Sequence, residues 1–94
     1  MSEAVENAER RVVIQNKYGL HARPAAEFVK KAHQFNADVW VRKEELEVNG
    51  KSIMGMMMLA AERGAEIVIR ATGADAETAV SVLSDLVEGR FGEE

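Results

Sequence analysis

The sequence predicts a two-layer α+β sandwich, and three observations carry that prediction. Four short segments are β-branched or alternating and bounded by turn residues. Two longer segments repeat apolar residues at three-to-four spacing. The chain has 94 residues, 47% hydrophobic and 30% charged, which suits one domain with one core. Two long amphipathic helices cover only one face of a four-stranded sheet, so the other face is left open.

The elements follow in the order βαββαβα. Residues 1–9 lack apolar periodicity and are expected to form a flexible acidic extension, with a single domain over 10–91. Arg11 to Gln15 reads as a strand, and Asn16-Lys17-Tyr18-Gly19 as the loop after it. Ala22, Ala25, Ala26, Val29 and Ala32 form an apolar stripe flanked by Phe28 and Phe35. This predicts a helix with Pro24 in its first turn, where the missing N–H is harmless. Asp38 to Arg42 and Leu46 to Val48 read as the next two strands, and Asn49-Gly50 as a turn. Ser52 is placed to cap a short helix over Ile53 to Ala60. Ala65 to Ala71 reads as the fourth strand. Asp75 is placed to cap a last helix whose stripe is Ala76, Ala79, Val80, Leu83, Leu86 and Val87, ending near Gly89.

Composition excludes several classes of chemistry. The chain has no cysteine, so disulfides, thiolate metal sites and cysteine nucleophiles are ruled out. The longest nearly uninterrupted apolar run, Ile53 to Ala61, is too short to span a membrane, and no apolar leader opens the chain. A cytoplasmic location without membrane insertion is the expectation. The formal net charge of −4 is concentrated at the ends, in Glu3, Glu6 and Glu9 and in Glu88, Glu93 and Glu94. Between residues 10 and 31 stand Arg10, Arg11, Lys17, Arg23, Lys30 and Lys31 against Glu27 alone. A local basic region in an acidic chain points to an anionic ligand or an acidic partner, and is too weak for DNA. Trp40 and Tyr18 are isolated and make no stacking platform for nucleic acid. No nucleotide loop, zinc motif or carboxylate pair is present, so no metal and no cofactor are expected.

His21 immediately precedes the first predicted helix. Histidine is a poor N-cap, so its place there asks for another reason. The first amides of a helix lack intrahelical partners and the dipole is positive at that end. A dianion carried on the imidazole would meet the amides of Ala22 and Arg23 and the Arg23 guanidinium, which suits a phosphoryl group. A histidine seated there for structure alone fits the same spacing. The short helix after Ser52 is apolar nearly all round, so some of Ile53, Met54, Met57 and Met58 is exposed as a partner surface, or else the helix is wholly buried. Ser52 serves as a simple cap. If phosphorylated, it places a charge beside that apolar surface. His33 lies several turns along the first helix from His21, cannot share a metal with it, and reads as structural or surface. A plain interaction domain would need only the exposed methionines and gives no reason for His21, Arg23 and Pro24 to fall together.

Gly19-Leu20-His21-Ala22-Arg23-Pro24-Ala25 resembles the active-site motif of the HPr family, the histidine-containing phosphocarriers of the bacterial phosphoenolpyruvate-dependent phosphotransferase system. Lys51-Ser52-Ile53-Met54-Gly55 resembles that family's regulatory-serine motif, and the likeness spans residues 10 to 90. The resemblance implies an open-faced sandwich of four antiparallel strands covered by three helices. It implies that His21 accepts phosphate on Nδ1 from phospho-enzyme I and passes it to the A component of a sugar-specific enzyme II. Arg23 would hold the phosphate oxygens, and the backbone N–H groups of Ala22 and Arg23 would cap the anion. Ser52 would match the serine modified by HPr kinase/phosphorylase, a step that would draw in a transcriptional regulator. Ile53, Met54 and Met57 would lie on the face shared by enzyme I and the acceptors. Such a protein works as a monomeric carrier without turnover of its own. Some members have asparagine where this chain has Tyr18, and the acidic termini lie outside the motif pattern. The nitrogen-related branch shares both motifs, so regulation without sugar uptake is the alternative reading.

Overall fold

The computed structural model describes residues 6–93. Eight elements follow the predicted order with one addition: β1 (Glu6–Val13), α1 (Ala22–Ala32), β2 (Asp38–Lys43), β3 (Leu46–Asn49), α2 (Ile53–Met58), β4 (Glu66–Gly73), α3 (Ala76–Glu88) and a 3-10 turn, Arg90–Gly92. The sheet runs β1-β4-β2-β3, and its three pairings are all antiparallel. Alternation along the strands sends Val12, Val39, Val41, Val48, Ile67, Ile69 and Ala71 into one buried cluster with the helices. The opposite face stays open and carries charge: the guanidinium of Arg70 stacks on Trp40 and donates to Glu47.

Where the sequence predicted a flexible extension over residues 1–9, residues 6–9 belong to β1. Glu6 pairs with Gly73 at one end and Val13 with Glu66 at the other. Residues 1–5 lie outside the described residues. Only Ala8 among residues 6–10 leaves the exposed class, and it packs against the core. An edge strand whose outer half is held by backbone pairing shows no apolar alternation to read.

Two smaller corrections concern the helices. Phe28, expected on the flank of α1, is fully buried at its centre, while Ala22 is exposed. Asp75 stands at the N-cap of α3 but makes no side-chain cap bond. Its carboxylate instead accepts the amides of Asn36 and Ala37 at 2.9 and 2.8 Å, tying the turn before β2 to the start of α3. The open amide of Glu77 is taken by Glu6 Oε1 at 3.2 Å, so a residue of β1 caps α3 from outside.

The amide of Asn36 is the leading cause that holds the Asp75 carboxyl below its ordinary value, with the amide of Ala37 acting in the same sense. The unfolded chain therefore binds this proton more readily. The associated stability is complete above the ordinary carboxylate value and is lost as pH falls through the depressed one. Asp75→Asn is expected to lower the denaturation midpoint at neutral pH and to leave its acid limb shallower, as urea titrations across pH 2–6 would show. An unchanged acid limb would contradict this assignment.

Candidate functional site

One end of the sandwich gathers the loop before α1, the segment after α2 and the chain's C-terminal turn. Backbone bonds join the first two: Ile14 N to Ala65 O at 2.9 Å, Gly64 N to Ile14 O at 2.8 Å and Leu20 N to Ala61 O at 2.8 Å. Gly19 has a φ of +67°, and a Cβ there would collide with the carbonyl oxygen of Ala61. Only glycine lets the loop pass this close before it turns into α1.

His21 is the N-cap of α1, as predicted, with φ −76° and ψ −175° and no side-chain cap bond. Its carbonyl accepts the first helical bond, from Ala25 N at 3.0 Å. Pro24 has no amide to offer. Among the described residues the amides of Ala22 and Arg23 have no hydrogen-bond partner. The imidazole is 40% exposed, so one side of the ring is open to an incoming molecule. Arg23 projects from the first turn with its side chain 68% exposed. The structure thus brings His21, Ala22 and Arg23 together as a cationic, donor-rich mouth.

Four further residues complete the site, and sequence reasoning missed their part. Glu93, read as one of a stretch of terminal acids, folds back against the histidine. Its Oε2 lies 3.1 Å from His21 Nε2 and 3.4 Å from Arg23 Nη1, and its Oε1 lies 3.3 Å from Nε2. Its side chain is only 11% exposed. Asn16 is fully buried beneath the loop. Its Nδ2 donates to Gly19 O at 2.7 Å and to Glu93 Oε1 at 3.0 Å, while its Oδ1 is buried with no partner among the described residues. Tyr18 meets the imidazole edge-on at a 6.2 Å centroid distance, and the Lys17 ammonium lies over the tyrosine ring at 5.3 Å. Lys17, Tyr18, His21, Arg23, Gly92 and Glu93 line one open cleft. A signal for Asn16 was present: it is a polar residue between the apolar positions Ile14 and Leu20.

The tail reaches the site through an unusual turn. Arg90, Phe91 and Gly92 have φ of +60°, +53° and +76°, the left-handed region that side-chain-bearing residues avoid. Phe91 is buried at 5% exposure and anchors the turn against the core.

Ser52 caps α2 as predicted: its Oγ accepts Gly55 N at 3.0 Å. The short helix buries Met56 alone and exposes Ile53 (44%), Met54 (76%), Met57 (43%) and Met58 (65%). Its far end runs into Ala60, Ala61 and Glu62, which share a groove with Tyr18, Leu20 and His21. The segment that follows the apolar helix therefore borders the histidine, with Ser52 at the helix's other end. His33 stands apart at the C-cap of α1, with Nε2 3.2 Å from Lys51 O. Among the described residues no helix is long and apolar enough to cross a membrane.

The fold and the site together define a small open α+β sandwich with one half-exposed imidazole at a helix mouth. The model of the family described as "PTS HPr component phosphorylation site" matches residues 8–89. The chain is 51% identical over 82 residues to the phosphocarrier protein HPr of Neisseria meningitidis, covering 87% of this chain and 92% of that one. It superimposes on HPr-C-His of Thermoanaerobacter tengcongensis with a TM-score of 0.89 at 48% identity, over 93% and 98% of the two chains. It is also 42% identical over 80 residues to the HPr-like protein Crh of Bacillus subtilis, covering 85% and 94%. The chain belongs to the HPr family, the phosphocarriers of the phosphotransferase system.

Proposed function

We propose that this protein carries a phosphoryl group on His21 Nδ1, received from phospho-enzyme I and delivered to the A component of a sugar-specific enzyme II. The observation that supports this most is the half-exposed imidazole beside two amides with no partner among the described residues and a largely exposed guanidinium. In the step, the ring's lone pair forms the new N–P bond while the P–N bond to the donor's histidine breaks. The bonding pair stays on the donor ring, and the partners supply the remaining catalytic groups. Arg23 and the amides of Ala22 and Arg23 hold the phosphoryl oxygens. Ile53, Met54 and Met57 form the docking face in weak, fast complexes, to which thioether chains adapt at little cost. The protein acts as a monomer in the cytoplasm.

Ser52 is the site of regulation in this reading. A phosphate there stays at the helix start but puts a dianion beside Ile53 and Met54, and docking weakens. The similarity to Crh favours a second reading, in which the chain serves mainly as a regulator, as a nitrogen-related or purely regulatory paralogue would. Incubation with phosphoenolpyruvate and enzyme I is expected to give acid-labile phosphate on His21. Incubation with HPr kinase/phosphorylase and ATP is expected to give acid-stable phosphate on Ser52. Peptide mapping decides both, and label elsewhere in the chain would refute the assignment concerned. Recovery of permease components from a lysate by the phosphorylated form supports uptake. Recovery of a regulator or kinase alone supports the second reading.

A further inference from the structure

We propose that Glu93 is a positioning residue that selects which nitrogen of His21 is nucleophilic. The inference rests on the reading of His21 as the phosphoryl acceptor. An ionised carboxylate has acceptors only, so a ring nitrogen in hydrogen-bond geometry with Glu93 Oε1 at 3.3 Å must carry the proton. Glu93 therefore holds His21 as the Nε2–H tautomer. In the neutral ring this leaves the lone pair on Nδ1, which makes no hydrogen bond among the described residues. When Nδ1 bonds to phosphorus, the ring becomes cationic and keeps its Nε2 proton against the carboxylate. Onward transfer reverses the same steps, and no proton has to leave the site.

The rest of the site is arranged to hold that carboxylate. Asn16 gives both amide hydrogens to Gly19 O and Glu93 Oε1 and leaves its own oxygen buried without a partner among the described residues. Turning the carboxamide over would set its oxygen against two acceptors, so the network dictates its orientation. The left-handed turn at Arg90 and Phe91 and the burial of Phe91 deliver Glu93 to the ring. A loose acidic tail would need neither. Arg23 Nη1, 3.4 Å from Oε2, links the carboxylate to the group that faces the phosphoryl oxygens.

Full-length Glu93→Ala and Glu93→Gln proteins test the proposal in two ways. Imidazole 15N spectra of the wild type are expected to show the Nε2–H form of His21. In Glu93→Ala the His21 signals are expected to move toward the mixture seen in free imidazole, while His33 stays put as an internal control. With phospho-enzyme I at saturation, both variants are expected to accept phosphate roughly tenfold more slowly with little change in KM, the scale of one charge-assisted hydrogen bond. Unchanged His21 signals in Glu93→Ala would overturn the proposal. So would acceptance at or above the wild-type rate, the result expected if the carboxylate merely obstructed the ring. If wild-type His21 accepts no phosphate at all, the carrier reading falls, and the spectra still decide whether Glu93 sets the tautomer.

Discussion

His21→Ala is expected to lose phosphate acceptance entirely, down to the background of a reaction without carrier. In the proposed function the nucleophile is one ring nitrogen of His21, and the sequence holds only one other histidine. His33, the other histidine in the sequence, sits at the far end of α1 with its Nε2 at the carbonyl of Lys51. Stability should fall only modestly, because His21 makes no side-chain cap bond and the Glu93 carboxylate keeps Asn16 and Arg23 as partners. Thermal unfolding, run beside a labelled-phosphate assay with enzyme I and phosphoenolpyruvate, separates lost chemistry from lost fold. A folded variant that still takes up acid-labile phosphate would place the acceptor elsewhere.

Arg23→Ala is expected to have the next largest effect, slowing transfer by about ten- to a hundredfold without abolishing it. The arginine supplies charge and a two-pronged donor, while the amides of Ala22 and Arg23 remain whatever the side chain. Exposure at 68% means that screening by solvent trims the effect below that of an enclosed donor. Arg23→Lys is expected to recover only part of the rate, since an ammonium is a point charge without the planar fork. Saturation kinetics with phospho-enzyme I place the loss in kcat if the guanidinium acts on the transferring group. A loss confined to KM would make Arg23 a docking residue, and a wild-type rate would remove it from the site.

The parts of the site legible in the sequence are those built by local rules. His21, Ala22, Arg23 and Pro24 form one helix start, and the geometry of any helix start fixes where its first amides point. Ser52 was legible for the same reason, whereas the sequence left the methionines of α2 either exposed or wholly buried, and the packing of the helix decided for exposure. The strands showed where an alternating inner row reached the core. The first half of β1 did not show, because backbone pairing to β4 holds it rather than side-chain burial. Asp75 was read correctly by position and wrongly by partner. Its carboxylate spans the fold to Asn36 and Ala37, and Glu6 does the capping.

By itself, then, the sequence determined a four-stranded sheet under helices, a histidine at an open helix mouth, and a short apolar helix behind a capping serine. Each follows from periodicity or from hydrogen-bond needs within a few residues. Only the tertiary structure decided that a terminal glutamate, 72 positions from His21, meets the imidazole, and that Asn16 holds it there from 77 positions away. No local rule carries that information. The contact exists because α3 packs on the sheet, Phe91 buries itself at the end of α3, and the left-handed turn between them aims the tail at the ring.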